Sequence, residues 1–267
     1  MPVRNPGPEF ERTLASFATL DLKPFLIIVD DASRPPLNVD FARYGMSGRV
    51  IRQPESAGIA PALNVAFRQA YDAGFEFIAR MDGDDLNLPQ RFSTQLRYMD
   101  AHPECLAVFA DAELIDAHDA PLGRKRTPHE PAELRRAMAV NNVLLHPTAV
   151  LRREFLTRYG FYDPLVNLAE DYDYFMRGVV DGVVDVIPEP LIRYRVHAGG
   201  VSYSKYRAQV LARIRTQLRF LRRTGAAGLV GLVRSLAILV AATVIPTGAL
   251  GRVRQQALAG RQARAQA

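Results

Sequence analysis

The first two-thirds of the chain alternates short apolar runs of strand type with amphipathic helical segments. The runs FLIIVDD (25–31), FEFIARMD (75–82) and CLAVFAD (105–111) are apolar enough for strands that are buried on both faces. Between them, GIAPALNVAFRQAYDAG (58–74) places apolar side chains on one helical face and stops at a glycine, and a further helix is expected from Pro89. This βαβα order predicts an α/β sandwich with a mostly parallel central sheet.

The rest of the chain has a looser pattern. We predict a strand at TAVLRR (148–153), a helix at AEDYDYFMRGVV (169–180) and one or two strands at VVDVIPEPLIRYRVH (183–197). From Ser204 onward the sequence becomes helical and basic. We therefore expect an α/β domain over residues 1–204 and a basic helical extension over residues 205–267.

Three carboxylates in four positions follow the second strand-like run. Asp82, Asp84 and Asp85 repel one another unless a cation or a hydrogen-bond network offsets their charges. In an extended segment Asp82 and Asp84 share a face while Asp85 faces oppositely, and two carboxylates on one face suit Mg²⁺ or Mn²⁺. Gly83 between them allows close approach. The structural alternative is an Asp-rich turn that caps the helix expected from Pro89, a role open to Asp85.

Other acidic groups fall at comparable places. Asp30 and Asp31 close the first strand-like run, so they and Asp82 are expected at one edge of the sheet, where α/β proteins bind ligands, although Asp is also an ordinary turn former. Asp171 lies with Glu170 at the start of a predicted helix, where the macrodipole favours an ionised carboxylate that can act as a general base. Simple acidity at a helix N-terminus is the alternative.

Two histidines are weaker candidates. His197 ends the last strand-like run, where it can ligate a metal or contact phosphate, and His146 precedes Pro147. A histidine at such a position is more often exposed or hydrogen-bonded within the protein. We rank His197 above His146 and neither above the aspartates.

Taken in order, the motifs of residues 1–204 resemble the inverting family 2 glycosyltransferases of bacterial cell-surface polysaccharide synthesis, which have the GT-A fold. The matching segments are MPVRN, IIVDDAS, GIAPALN, ARMDGDDLNLPQRF, HPTAVLRR, AEDYDYFMR and YRVHAGGVS. The resemblance implies a GT-A sandwich. It also implies metal-dependent transfer of a sugar, with inversion, from a UDP- or dTDP-linked donor to a hydroxyl of a saccharide or lipid-linked saccharide.

The resemblance further implies a set of residues that bind the donor. Asp31, with Asp30 beside it, matches the carboxylate that recognises the nucleotide base, and Asp82 matches the one near the ribose. The nucleotide-sugar-binding residues implied in this way are Pro2, Asn5, Asp30, Asp31, Arg80 and Asp82.

The chemistry is implied for three further positions. Asp84, together with Asp82, matches the ligand of a Mn²⁺ or Mg²⁺ ion at the diphosphate, and His197 matches a histidine that helps to hold the metal in some members. The ion would stabilise the leaving group as a Lewis acid. Asp171 matches the catalytic base that takes the proton of the acceptor hydroxyl.

The sequence departs from the family pattern at two places. Family members begin with a buried strand that runs into the Pro-x-x-Asn segment, whereas Met1 stands directly before Pro2, so we expect the first strand to be missing. Its loss would leave unpaired backbone groups on both neighbouring strands, which suggests that the true start lies upstream and that Met1 is internal. Ala32 stands where a glycine is usual, which disfavours a positive φ there.

Charge is distributed unevenly along the chain. Residues 205–267 contain eleven arginines, one lysine and no acidic residue, so they carry +12 and the remainder of this +6 chain carries −6. Such a segment indicates contact with a polyanion, and its few aromatic residues argue against nucleic acid. Arg234 and Pro246 interrupt its apolar part, so we expect an interfacial segment on an anionic membrane and not a span. A helical hairpin packed on the domain is the alternative.

Composition narrows the location and the competing functions. The chain has 267 residues, of which 48% are hydrophobic, one cysteine and no apolar N-terminal leader. These features favour the cytoplasm, with peripheral contact at the inner face of the cell membrane. Two alternatives remain open: a sugar nucleotidyltransferase, for which RNPGPEF is a poor phosphate loop, and a noncatalytic polyanion-binding protein.

Overall fold

The computed structural model describes residues 1–196 and 206–244 of the 267-residue chain. In that part of the chain the strands are β1 (Pro2–Val3), β2 (Phe25–Asp31), β3 (Ser47–Gln53), β4 (Phe77–Ala79), β5 (Leu86–Asn87), β6 (Ala107–Ile115), β7 (Pro121–Lys125), β8 (Val150–Arg152) and β9 (Val184–Arg195). The α-helices are α1 (Glu9–Ala18), α2 (Ile59–Asp72), α3 (Arg91–Ala101), α4 (Pro131–Val140), α5 (Arg153–Tyr159), α6 (Glu170–Asp181) and α7 (Tyr206–Val244).

The strands form two sheets. One sheet is parallel and has the order β1-β2-β3, and the other has the order β4-β8-β6-β9-β5 with β7 on β6. In the second sheet β6 and β9 are parallel, but the β4–β8, β6–β8, β5–β9 and β6–β7 pairs are antiparallel. The predicted α/β sandwich is therefore confirmed: the longest pairings, β2–β3 and β6–β9, are parallel, and shorter antiparallel pairs make the second sheet mixed. The turn at residues 116–120, for example, is too short for a parallel crossover, so β7 must reverse along β6.

The first strand is reduced to two residues. Only Pro2 and Val3 pair with β2, and the buried ammonium nitrogen of Met1 donates to Ile27 O at 2.9 Å. Burial, with a smaller effect of the Arg80 charge, lowers the pKa of this ammonium group to about 5. An apolar groove of about 310 Å³ lies between the N-terminal half of β2 and β4. Within the described residues β4 pairs only with β8, so no backbone hydrogen bonds join the two sheets across the groove.

Apolar side chains alternate between two cores on opposite faces of the sheets. Along β2, Ile27 and Val29 pack into the core that also contains residues of α2, α5 and α6. Leu26 and Ile28 pack into the other core, with residues of α1 and α3. The period-2 alternation explains why this strand is apolar throughout, because helices cover both of its faces.

β9 is one strand with a bulge. Its register against β6 is regular up to the pair of Ala110 and Ile187, shifts on both sides of Asp111, and resumes with Ala112 opposite Ile192. Pro188 and Pro190 have no N–H group to donate, so the ladder is interrupted between them. The sequence left one or two strands open here, and the structure shows a single one.

α7 is bent at Gly225, whose φ of 58° and ψ of −135° are not helical. The bend separates residues 206–224 from residues 226–244, and the second segment folds back toward the first. A Cβ atom on Gly231 would lie 2.4 Å from the carbonyl oxygen of Ala139 in α4, so this position tolerates only glycine.

Polar contacts and core packing also attach the first segment of α7 to the sandwich. Gln217 Nε2 donates to Val140 O at 2.8 Å, and Arg219 Nη1 donates to Asp173 Oδ1 at 2.7 Å. Phe220 is buried in the core that contains α2 and α6. The described part of the C-terminal extension is therefore a helical hairpin that packs on α4 and α6.

A buried arginine connects α3 to the loops around it. Arg91 is fully buried at the start of α3 and donates to Arg80 O at 2.8 Å and to Pro147 O at 2.7 Å. A third hydrogen bond runs from its Nη1 to Asn87 Oδ1 at 2.9 Å. Burial lowers the pKa of Arg91 to about 9, although the Asp85 charge acts in the opposite direction. Arg91 thus provides hydrogen-bond donors for two buried backbone carbonyl oxygens that lie outside the strands.

We predict that Arg91→Ala lowers the free energy of unfolding by about 3–5 kcal/mol, because two buried carbonyl oxygens lose their donor and a cavity opens. Urea unfolding followed by circular dichroism measures the change. Arg97→Ala, at an exposed position of the same helix, is the matched control and should change the free energy by less than about 0.5 kcal/mol. Equal effects of the two substitutions would contradict the role assigned to Arg91.

Candidate active site

Residues 80–85, which we call the acidic loop, connect β4 to β5 and are not in strand conformation. Asp82, Asp84 and Asp85 each direct a carboxylate oxygen toward a common point, and these three oxygens lie within 4.8 Å of one another. The loop packs on β1, because a Cβ on Gly83 would lie 3.3 Å from Val3 Cγ2. Glycine at position 83 thus allows the acidic loop to pack closely against β1.

Asp85 does not face away from the other two carboxylates, as strand alternation predicted. The loop is not extended, so side chains two residues apart need not share a face and adjacent ones need not diverge. Asp85 does not cap α3 either, because the N-cap Gln90 precedes that helix without a side-chain cap bond. Asp85 therefore belongs to the same carboxylate cluster as Asp82 and Asp84, although the sequence pattern placed it on the opposite face.

The environment of Asp85 keeps one of its oxygens available. Its Oδ1 accepts a hydrogen bond from Arg195 N at 2.8 Å, whereas its Oδ2 is buried and has no hydrogen-bond partner among the described residues. Burial, with the charges of Asp82 and Asp84, raises the pKa of Asp85 well above its usual range. A buried carboxylate oxygen without a donor is energetically costly unless a cation or a proton binds it.

Two buried arginines offset the negative charge of the acidic loop. Arg80 forms an ion pair with Asp82, and the Nε of Arg195 donates to the backbone oxygen of Asp84 at 2.8 Å. Arg195 also pairs through Nη2 with Asp119 at 2.5 Å. The sequence indicated Arg80 through the family motif, but nothing in the local pattern around Arg195 revealed its role.

The donor set of the acidic loop fits a hard divalent cation. All three groups are carboxylates, the ligands that Mg²⁺ and Mn²⁺ prefer, and the Oδ2 atom of Asp85 is buried and without a donor. Asp82 and Asp84 are the two ligands that the sequence predicted. His197, the third predicted ligand, lies outside the described residues.

Both carboxylate oxygens of Asp30 accept hydrogen bonds from other groups of the protein. Its Oδ1 accepts from Ser33 N at 2.8 Å, and its Oδ2 accepts from Leu37 N at 3.0 Å and from Arg52 Nη1 at 2.6 Å. Burial alone would raise the pKa of Asp30, but the hydrogen bonds from Ser33, Leu37 and Arg52 lower it below the ordinary value. This carboxylate therefore shapes the loop that follows β2.

Asp31 faces a different loop, the one that precedes α2. Its Oδ1 accepts from Ala57 N at 2.8 Å, and its Oδ2 accepts from Ser56 Oγ at 2.7 Å. Ala32 has a φ of 60°, a conformation that its Cβ disfavours by about 1 kcal/mol. The positive φ expected at a glycine is thus retained with alanine, because hydrogen bonds hold the residues on both sides.

Pro2 and Asn5 lie beside the same edge of the sheet. Pro2 is in β1, next to the end of β2. The backbone N–H of Asn5 donates to Ser33 Oγ at 2.9 Å, and its Oδ1 accepts from Arg34 N at 2.8 Å. The structure therefore brings these residues next to Asp30, and β1 joins them to the acidic loop.

Asp171 and Glu170 occupy the first turn of α6. Asp171 Oδ2 accepts a hydrogen bond from Asn142 Nδ2 at 2.8 Å, and burial raises the pKa of this carboxyl despite that bond. Burial, followed by the Asp171 charge, raises the pKa of Glu170 to about 7. Two adjacent carboxylates with raised pKa values are suited to proton transfer near neutral pH. The sequence named Glu170 only as a neighbour and did not indicate Asn142.

A polar cavity of about 260 Å³ opens beside Asp171. Residues after α4, residues before α6 and the first turns of α7 form its walls. The polar and charged residues of these walls include Asn141, Asn142, Asp171, Tyr206, Gln209 and Arg213. Arg213 Nη1 donates to Asn141 Oδ1 at 3.0 Å, so a cation of α7 lies in the wall of the cavity that contains Asp171.

Arg80 is the first residue of the acidic loop, and its charge also influences Asp171. Its charge acts on Asp82 directly and also lowers the pKa of Asp171, although burial has the larger, opposite effect. His146 is buried next to it and shares a hydrogen bond of 2.7 Å with Tyr162 Oη. Burial and the Arg80 charge lower the pKa of His146 well below its usual range, so this histidine is neutral and structural.

The fold and the site define a GT-A type α/β protein with a carboxylate cluster at the edge of its sheets. The model of the family described as "Glycosyl transferase family 2" matches residues 1–160, more than half of the chain. The protein belongs to this family, as the motifs implied.

Two relatives and two solved structures show the extent of the similarity. The uncharacterized protein Mb1547 of Mycobacterium bovis is 28% identical over 189 residues, which cover 68% of this chain and 52% of that protein. The amylovoran biosynthesis glycosyltransferase AmsE of Erwinia amylovora is 31% identical over 139 residues, or 49% of this chain and 51% of that protein. The chain thus spans about half the length of these relatives.

The structural matches share the fold at low sequence identity. S. aureus TarS 1–349 in complex with UDP-GlcNAc matches with a TM-score of 0.62 and 19% identity over 82% of this chain and 65% of that chain. The mannosyltransferase PcManGT from Pyrobaculum calidifontis, in complex with GDP-Man and Mn²⁺, matches with a TM-score of 0.56 and 19% identity over 97% of this chain and 78% of that chain.

We predict that Glu170 makes the folded protein less stable as pH rises from 4.5 to 7. Its pKa is raised from 4.5 to about 7 in the folded state, so the protonated carboxyl stabilises the fold below pH 4.5 and this contribution is lost as the pH passes through that window. Between pH 4 and pH 8 the free energy of unfolding of the wild type should fall by about 3 kcal/mol relative to that of Glu170→Gln.

Chemical denaturation at a series of pH values measures this difference. Glu154→Gln, at an exposed position in the first turn of α5, is the control and should follow the wild type at every pH. Parallel curves for the wild type and Glu170→Gln would show that Glu170 is not the group responsible.

Proposed function

We propose that the protein is a metal-dependent inverting glycosyltransferase that moves a sugar from a nucleoside-diphosphate sugar to a hydroxyl group. The observation that carries the proposal is the cluster of three carboxylate oxygens within 4.8 Å in the acidic loop, in a chain of family 2. The buried Oδ2 of Asp85, which has no donor among the described residues, supports a cation as the missing partner.

The acidic loop would hold the donor through its diphosphate. Asp82, Asp84 and Asp85 would ligate Mn²⁺ or Mg²⁺, which supplies Lewis-acid stabilisation of the diphosphate leaving group when bound. Arg80 orients Asp82 through their ion pair, and Arg195 fixes the backbone of Asp84. Both arginines keep the loop in place before a donor arrives, so that little reorganisation is needed on binding.

The base and ribose would lie along the edge formed by β1 and the end of β2. Pro2, Asn5 and Asp31 lie at this edge, and Asp30 holds the loop after β2 in position. We propose a UDP- or dTDP-linked donor. The complex of TarS with UDP-GlcNAc supports a uridine donor, and the complex of PcManGT with GDP-Man makes a guanosine donor the principal competitor.

Asp171 would act as the catalytic base. It lies at the N-terminus of α6, where the helix dipole favours its ionised form, and Asn142 fixes the orientation of its carboxylate through the 2.8 Å bond. Asp171 would take the proton of the acceptor hydroxyl as the oxygen attacks the anomeric carbon on the side opposite to the diphosphate. Inversion of configuration at that carbon follows from the single displacement.

The cavity beside Asp171 is our candidate for the acceptor site. Its polar walls suit a saccharide, which needs many hydrogen bonds, and the basic side chain of Arg213 suits an acceptor that carries an anionic group. We propose a saccharide or lipid-linked saccharide acceptor in surface polysaccharide synthesis. The similarity to AmsE, an amylovoran biosynthesis glycosyltransferase, supports this class of product.

We predict that Asp84→Asn lowers the affinity for Mn²⁺ by at least about ten-fold and abolishes the metal-dependent binding of donor, because one of three charged ligands is lost. Titration calorimetry with Mn²⁺ alone, and thermal shift with a panel of UDP-, dTDP- and GDP-sugars, measure the two effects. Asp100→Asn, exposed at the end of α3, is the matched control and should behave as the wild type.

The same panel tests the proposed reaction. Release of the nucleoside diphosphate from one donor class supports a glycosyltransferase. Release of pyrophosphate from a nucleoside triphosphate and a sugar 1-phosphate would instead identify a nucleotidyltransferase, and Mn²⁺ binding that is equal in the wild type and Asp84→Asn would remove the metal from the acidic loop.

We predict that Asp171→Asn lowers kcat by about 10²–10⁴-fold and changes the donor Kd by less than about two-fold, because the base acts on the acceptor and not on the diphosphate. Donor binding by calorimetry and turnover by nucleoside diphosphate release give the two quantities. Asp72→Asn, exposed at the end of α2, controls for loss of a carboxylate elsewhere. A variant with full turnover would exclude Asp171 as the base.

A further inference from the structure

Several large apolar side chains in the second segment of α7 are exposed, and the residues that this segment buries are all small. The exposed side chains include Leu229 (55%), Val230 (61%), Val233 (58%) and Leu236 (45%). The positions buried against the protein are Gly228, Gly231, Ser235 and Ala242. A helix on the surface of a soluble domain normally has the opposite arrangement, with large apolar residues facing the core.

The exposed apolar side chains form one continuous face. At 3.6 residues per turn they fall within an arc of about 120° of the helix circumference. By length and composition α7 is able to cross a membrane. However, the bend at Gly225 divides it, and the close packing of Gly231 on Ala139 holds its second segment against α4. The apolar face therefore lies along the outside of the domain.

The first segment of α7 adds positive charge to the same hairpin. Arg207, Arg215 and Arg222 are exposed and form no ion pair with a described carboxylate, whereas Arg219 pairs with Asp173. The chain contains no acidic residue after Glu189, so the C-terminal extension itself supplies no side-chain carboxylate that could neutralise them. We call the apolar set (Leu229, Val230, Val233 and Leu236) together with these three arginines the α7 docking face.

We propose that the α7 docking face binds the surface of an anionic membrane. The apolar side chains would enter the boundary between headgroups and acyl chains, and the arginines would contact anionic headgroups. A second copy of the chain fits this face poorly, because a twofold interface would place the same unneutralised arginines against one another. The combination of an apolar strip with unpaired cations matches the two parts of a lipid surface.

Docking in this way would bring the cavity beside Asp171 close to the lipid. The first turns of α7, at Tyr206, Gln209 and Arg213, form one wall of that cavity, so the membrane-bound helix and the cavity share one element. This consequence rests on the proposed function, since it gives a lipid-linked acceptor a short path to Asp171. Membrane binding itself does not depend on which reaction the protein catalyses.

Flotation of the purified full chain with extruded vesicles tests the proposal. The wild type should float with vesicles of phosphatidylcholine and phosphatidylglycerol in a 7:3 ratio, and much less with pure phosphatidylcholine. Leu229→Gln, Val233→Gln and Leu236→Gln combined should lower the partition coefficient by about 100-fold, and Arg207→Gln, Arg215→Gln and Arg222→Gln combined should do the same. All six side chains are exposed, so the folded structure should be retained.

Leu165→Gln provides the matched control, because Leu165 is 88% exposed in the loop before α6 and should not affect flotation. Failure of the wild type to float with anionic vesicles would overturn the proposal. So would equal flotation of the wild type and the apolar triple variant, or equal binding to both kinds of vesicle. A wild-type dimer in light scattering that the apolar triple variant dissociates would assign the face to a second copy of the chain instead.

Discussion

Concentrated negative charge in the acidic loop is the constraint on which much of the surrounding structure depends. Arg80 pairs with Asp82. Arg195 donates a hydrogen bond to the backbone oxygen of Asp84, and Arg91 donates one to the backbone oxygen of Arg80. These three guanidinium groups are buried. Arg91 and Arg195 are held by backbone oxygens from distant parts of the chain, whereas Arg80 is held by Asp82 within its own loop. A buried guanidinium group is strongly destabilising unless it is paired, so these contacts must be kept. They fix α3, β9 and the acidic loop relative to one another.

The same electrostatic network links the two halves of the site. Arg80 pairs with Asp82 of the acidic loop, and its charge also acts to lower the pKa values of Glu170 and Asp171, although burial has the larger, opposite effect on both. A change of charge on one side is therefore felt on the other through a buried cation, in an environment where screening by water is weak. The neutral His146 beside Arg80 fills space without adding a second positive charge.

Local sequence pattern predicted the parts of the fold that depend on local forces. The apolar run of β2, the helix at α2 and the acidic start of α6 were all indicated by periodicity and turn residues. Local pattern does not predict which distant segments pair. For this reason the antiparallel pairing of β8 with β4 and β6 was not foreseen. Arg195 and Asp84 are 111 residues apart in sequence, and Asp85 joined the cluster only because its loop leaves strand geometry.

A single glycine sets how far the C-terminal segment reaches. Gly225 adopts a φ of 58°, which residues with a Cβ avoid. If the 39 residues of α7 formed one straight helix, it would be about 58 Å long, roughly twice the length of either half. The overall dimensions of the molecule therefore depend on the backbone torsion at one position, because the same residues form either a folded pair alongside the sandwich or a rod that projects beyond it.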